Sequence, residues 1–194
     1  LDCLAHADIR NATLGGAQLT QPLTGITGRM RYDLLTHTLS IDELTGRLMD
    51  DSLTLSGEMD VKDPVGLQLH VSGTLPLEAA IPWLPTKNPV RALGGAAALD
   101  LEISGSSAAP RATGEIELRE ASAQLTAPAI TLERVTGSVR LADDRIIVSE
   151  ATLTLNGEPL TLDATFVPQA IPRITATVGF RRGRLLLVSR VSPQ

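Results

Sequence analysis

Two stretches decide the fold: LSIDELTGRLMDDSLTLSG at residues 39–57 and IIVSEATLTLNGEPLTLDA at residues 146–164. They align without a gap at an offset of 107 residues, and Leu53-Thr54-Leu55 returns as Leu160-Thr161-Leu162. Working outward, Thr27-Gly28 returns as Thr136-Gly137, and Ala17-Gln18-Leu19-Thr20 returns as Ala123-Gln124-Leu125-Thr126. A proline follows two positions on in both, Pro22 and Pro128. The copies span residues 17–73 and 123–180, and the small drift in offset needs only short insertions. Self-similarity at a fixed, long spacing marks a duplicated unit.

Within each copy the pattern has a period of two. Leu53, Leu55, Gly57, Met59 and Val61 alternate with Thr54, Ser56, Glu58 and Asp60. Val65, Leu67, Leu69 and Val71 alternate with Gln68, His70 and Ser72. Such alternation is the signature of a strand with one face in water. Asn156-Gly157 between two such runs predicts a two-residue hairpin; Asp63-Pro64 and Asp143-Asp144 predict turns. Gly15-Gly16 reads as the joint between two short strands over residues 8–20. The run RRGRLLLVSRVSPQ at the end reads as a final strand. The pattern gives roughly a dozen strands or more, too many for one ordinary flat sheet. Sandwich, closed barrel and long curled sheet grown by repeats all remain open on this pattern alone.

Residues 74–95 break the pattern with Pro76, Pro82, Pro85 and Pro89. Prolines exclude a long central strand here. Leu77 to Ile81 suits one helical turn, stopped by Pro82. The division expected is a first β repeat over 1–75, a proline-rich connector over 76–95 and a second β repeat over 96–194. Trp83, the single tryptophan, either plugs the base of a core or meets a partner.

Composition narrows the function. Hydrophobic residues make up 43% of the 194-residue chain but aromatics only 2%, so Leu, Ile, Val and Ala carry the apolar load. A net charge of −5 and scattered aromatics (Tyr32, Trp83, Phe166, Phe180) argue against nucleic acid as a partner. The single cysteine, Cys3, excludes an internal disulfide. No run approaches the roughly 18 apolar residues of a membrane-spanning helix. The chain starts in strand-like sequence without methionine and reads as a fragment, with any targeting or membrane segment outside it.

Catalytic signatures are missing. His6, His37 and His70 lie far apart, without a second ligand at metal spacing. No GxSxG elbow, Walker loop or GxGxxG is present. Asp50-Asp51 and Asp143-Asp144 suit turns, and neighbours on a strand point to opposite faces. Neither a catalytic residue, a metal site nor a cofactor is expected. A carbohydrate enzyme drawing carboxylates from distant strands is the remaining catalytic option.

The cadence of Leu23-Thr24-Gly25-Ile26-Thr27-Gly28, Leu39-Ser40-Ile41, Leu44-Thr45-Gly46 and Ser52-Leu53-Thr54-Leu55-Ser56-Gly57 resembles the AsmA-like proteins, including the TamB and YhdP branches. The second copy keeps it at Val135-Thr136-Gly137, Ile146 to Leu153 and Leu160-Thr161-Leu162, with Asp163 standing for the last glycine. Leu75-Pro76-Leu77-Glu78, Leu84-Pro85 and Leu93-Gly94-Gly95 look like that family's connectors. The resemblance covers about residues 7–180.

It implies an all-β fold: a long, curled, mostly antiparallel sheet forming a trough. It implies a periplasmic segment of a bridge-like lipid transfer protein, anchored in the inner membrane of a Gram-negative bacterium. Phospholipid would move along the trough toward the outer membrane. Partners would be phospholipid acyl chains, neighbouring repeats of the parent protein and envelope proteins. The candidate lining is Leu53, Leu55, Met59, Val61, Leu67, Leu69 and Val71 in the first copy. In the second it is Leu153, Leu155, Leu160, Leu162, Phe166, Ile174 and Val178. The same alternation would serve an ordinary core, so the competing expectation is a structural or adhesive β-repeat protein with a fully packed interior and no lipid.

Overall fold

The alternating runs form one twelve-stranded antiparallel sheet, open at both edges and curled, in which every strand lies beside its neighbours in sequence. The computed structural model describes residues 3–16, 21–62, 64–83, 89–126, 129–168, 173–180 and 183–190. The strands are β1 (Leu4–Leu14), β2 (Leu23–Asp33), β3 (Thr38–Leu48), β4 (Asp51–Asp60), β5 (Gly66–Pro76) and β6 (Val90–Ser106). They continue as β7 (Ala109–Thr126), β8 (Ala129–Ala142), β9 (Arg145–Leu155), β10 (Glu158–Val167), β11 (Arg173–Phe180) and β12 (Gly183–Arg190). Of the three architectures left open by the pattern, the curled single sheet is the one formed.

The duplication extends to register. β3 and β4 shifted by 107 residues coincide with β9 and β10 at both ends. The irregularity between Ile41↔Gly57 and Leu44↔Leu55 is the same as that between Val148↔Ala164 and Ala151↔Leu162. Backbone in the left-handed region recurs as well: Asn11 (φ 52°) and Glu120 (48°), Gly25 (61°) and Arg134 (51°), Met49 (58°) and Asn156 (47°). The first two pairs mark extra residues in otherwise regular ladders. Such bulges bend a strand and increase its twist. This correspondence makes the repeat a six-strand unit, β1–β6 followed by β7–β12, longer than residues 17–73 and 123–180 alone indicate. The register also places Ala164, rather than Asp163, at the position of Gly57. Asp163 instead accepts the amide N–H of Glu150 (2.9 Å), a bulge residue at φ 51°.

The connector is shorter than 76–95. Pro76 still pairs with Ala96, a 3₁₀ helix covers Leu77–Trp83, and β6 starts at Val90. The helix contains Pro82 instead of stopping before it. It packs against β6 and β5 and buries Ala79, closing off the strand row where β5 ends. The Trp83 side chain, Asp63, residues 17–20 and Pro128 lie outside the described residues. Residues 4–14 are one strand and Gly15-Gly16 follow it; the second short strand expected beyond the glycines falls on residues 17–20, outside the described residues.

Both expected turns at Asp143-Asp144 and Asn156-Gly157 are present, each two residues long. Asn156 (φ 47°) and Gly157 (φ 91°) both take positive φ, as a type I′ turn requires. A Cβ on Gly157 would meet nothing within 4 Å, so Gly157→Ala should cost only the torsional penalty. That is about 1 kcal/mol, readable as a small fall in urea midpoint.

The β2–β3 turn is held differently. Asp33 Oδ1 accepts the amide N–H groups of Leu35 (2.8 Å) and Thr36 (3.3 Å). These bonds hold its carboxyl below the usual carboxylate range. A depressed folded pKa gives stability that is present above the unfolded value and lost as pH falls through the folded one. The stability difference between the parent and Asp33→Asn should therefore stay constant above about pH 5 and shrink below about pH 4. Urea titrations at stepped pH would measure it.

Candidate functional site

Cross-strand partners share a face, so the pairing alone sorts the side chains. One row runs Leu44, Leu55, Val71, Leu101, Gly114, Leu141, Ile146, Phe166, Ile174 from β3 to β11. Beside it runs Leu53, Gly73, Leu99, Ile116, Val139, Val148, Ala164, Ala176, Leu187. One face of the sheet is therefore aliphatic from β1, with Ala7 and Ile9 opposite Met30 and Gly28, to β12.

The candidate lining lies on this face. Leu55 pairs with Val71 and Met59 with Leu67, while Leu69 faces Gly57 and Leu53 faces Gly73. In the second copy Leu160 pairs with Leu153, Leu162 with Val178 and Phe166 with Ile174, and Leu155 closes the β9 end. Val61 differs: it lies one residue beyond β4, 45% exposed, with its amide N–H bonded to His37 O (2.9 Å). The strand pairing joins the two sets into one surface through β6–β8. Leu99, Leu101, Ile103, Ile116 and Val139 belong to it although they fall between the matched runs of residues 39–57 and 146–164. Their own alternation was the available signal.

No second layer lies on this face among the described residues. No large side chain is fully buried, and the buried apolar residues are few: Ile41, Leu48, Leu160 and five alanines. The remaining lining residues inside strands are half-buried, shielded by one another. A packed β-sandwich would bury such residues against a facing sheet about 10 Å away. Here the aliphatic surface stays accessible.

The opposite face is polar and solvated. Thr54, Ser72, Asp100, Glu115 and Arg140 form one row. His70 sits there as expected, with Nδ1 at 2.9 Å from Glu102 and Nε2 at 3.5 Å from Asp100. Arg31–Asp42 (3.1 Å) and Arg119–Glu117 (2.6 Å) are further exposed pairs. A discrete cleft of about 580 Å³ opens mainly on this side, at the Asn156 end of β8–β12. Arg134 donates there to Thr154 Oγ1 (3.0 Å), and Arg184 lines the same space.

Among the described residues no group of three or more His, Cys, Asp or Glu could hold a metal ion. No helix among them is long and apolar enough to cross a membrane. The protein is thus an open, single-layer, internally duplicated β-sheet with one aliphatic face. No protein-family model, curated protein or solved structure matches the chain.

Proposed function

We propose that this chain is a segment of a periplasmic hydrophobic groove, of the AsmA-like kind, that carries phospholipid between the inner and outer membranes. The observation behind this reading is the continuous aliphatic face that no second layer covers among the described residues. Exposed apolar surface on this scale marks an interaction site. Acyl chains suit it: burial contributes about 0.8 kcal/mol per CH₂, and recognition needs no directional polar group. Leu, Ile and Val give a smooth wall. The two apolar rows, from Leu44 to Ile174 and from Leu53 to Leu187, carry no charged side chain, which leaves a headgroup no fixed anchor there, so a lipid held by its chains can slide.

The test is lipid analysis by mass spectrometry of protein purified gently from a bacterial host. Phospholipid in stoichiometric amounts supports the groove. A compact, lipid-free protein whose apolar face is protected from solvent would move the reading to a structural β-repeat.

A further inference from the structure

The cleft at the Asn156 end differs in charge from the rest of the polar face. Acids line other hollows of that face: Glu117, Glu120 and Glu150 in one, Asp100 and Glu115 in another. No carboxylate lines the cleft of about 580 Å³. Its wall carries two guanidinium groups, Arg134 and Arg184, and the hydroxyls of Thr152, Thr154 and Thr161. Among the described residues neither arginine forms an ion pair.

The pairing shows how the two cations reach one space. Thr136, Thr152, Thr161, Gly179 and Arg184 form a single row from β8 to β12. A Cβ on Gly179 would collide with Thr161 Oγ1, so glycine keeps the way open between that hydroxyl and Arg184. Arg134 enters from the opposite side, from the bulge in β8, and its Nη2 donates to Thr154 Oγ1 (3.0 Å). Thr154 is only 4% exposed, so this bond orients the guanidinium from a fixed point. The floor belongs to β8–β11, and strands are added in the plane of a sheet, so the cleft is a feature of the face and not of an edge.

The first unit serves as an internal control. By register, Gly25 stands there for Arg134, Ser72 for Gly179 and Asp100 for Arg184. Thr154 has Arg47 as its counterpart. The first unit thus offers one cation and one acid where the second offers two cations, and the same frame folds around both sets. Arg134 also holds φ 51° where the sister position is glycine. A residue with a side chain is strained in that region, and such strain collects at binding sites.

We propose that this cleft binds a terminal phosphate, the dianion of a phosphate monoester. Each guanidinium presents a planar fork of N–H donors that matches two phosphate oxygens. Arg134 uses one of its five N–H groups on Thr154 and keeps the others for a ligand. Two arginines offset the two charges, and the threonine hydroxyls between them supply further donors. A soluble phosphate ester and the headgroup of a phosphate-terminated lipid share this chemistry. The site lies on the polar face and does not depend on what the aliphatic rows carry.

Calorimetric titration of the chain with inorganic phosphate at low salt should show saturable binding. Arg134→Gly and Arg184→Asp each import the first unit's residue, so both variants should fold with little change in urea midpoint. Each should weaken phosphate about tenfold or more. Arg140→Ala removes a cation from the same face outside the cleft and should leave binding unchanged. Co-sedimentation with phosphatidylcholine vesicles containing phosphatidic acid identifies the source. Binding that requires phosphatidic acid and is released by inorganic phosphate assigns the site to a lipid headgroup. Phosphate binding without vesicle binding assigns it to a soluble ester. The absence of saturable phosphate binding would overturn the proposal. So would binding that survives both cleft substitutions, or that falls equally with Arg140→Ala, which marks unspecific attraction to arginine.

Discussion

Substituting glutamate at both Leu55 and Leu162 should strip the protein of co-purifying phospholipid while leaving it folded. These residues occupy the same place in the two units, and each pairs on the apolar face with a valine, Val71 or Val178. An acyl chain crossing either row would have to lie against a carboxylate or force it to take up a proton. Ten methylenes held on the face contribute about 8 kcal/mol, and an unpaired charge inside that contact costs several kcal/mol. Loss of retained lipid by tenfold or more follows from a penalty of about 1.4 kcal/mol, so the expected effect is near-complete loss. The outcome for folding carries separate information. In an open groove the new carboxylates reach water, and the cost is the lost leucine packing. Under a packed second layer the same pair would be buried unpartnered and the chain would unfold. A lipid-free, strand-rich double variant supports the groove, an unfolded one supports a core, and retained lipid in a folded variant places the chains elsewhere.

The second large effect is expected at Gly137. Among the strand glycines, Gly28 and Gly137 alone fall at equivalent positions in the two units, and Gly137 has φ +149°. A Cβ there would lie 2.7 Å from Ala151 Cα and 3.0 Å from its Cβ. The obstacle is the backbone of β9, which cannot rotate away as a side chain would. At Gly28 the added atom would collide with the carbonyl oxygen of Glu43. Gly137→Val must therefore part β8 from β9, next to the Thr136–Thr152 hydroxyl bond (2.7 Å). Overpacking and backbone strain together should cost about 3 kcal/mol, against about 1 kcal/mol at the open turn position Gly157. Urea unfolding of the two variants side by side would measure the contrast. A Gly137→Val midpoint no lower than that of Gly157→Ala would show that the ladder yields there without cost.

Much of this was legible in the residues. Alternation placed Leu53 to Met59 and Leu67 to Val71 on one face because a strand's period is two and no helix competes. Asn156-Gly157 gave its hairpin because its turn chemistry is local. Pro82 misled: a proline bars an α-helix interior, whereas the 3₁₀ helix of residues 77–83 accommodates it. The bulges at Asn11, Arg134 and Glu120 left no mark in composition, since an extra residue in a ladder is a matter of pairing. The six-strand size of the repeat was hidden for a related reason. β1 and β7, like β6 and β12, share register but little residue identity. The layer count was equally out of reach: a half-buried aliphatic face reads the same in sequence whether or not anything lies across it.

The order of the strands has a consequence for how the molecule comes into being. Every strand pairs only with strands next to it in the chain. No segment waits for a distant partner, and the sequence separation of its contacts is that of successive hairpins. Such a sheet can be laid down vectorially, each strand docking on a template already in place as the polypeptide emerges from a ribosome or a translocation pore. Its growing end is at every moment an unpaired edge that only the next strand is positioned to fill.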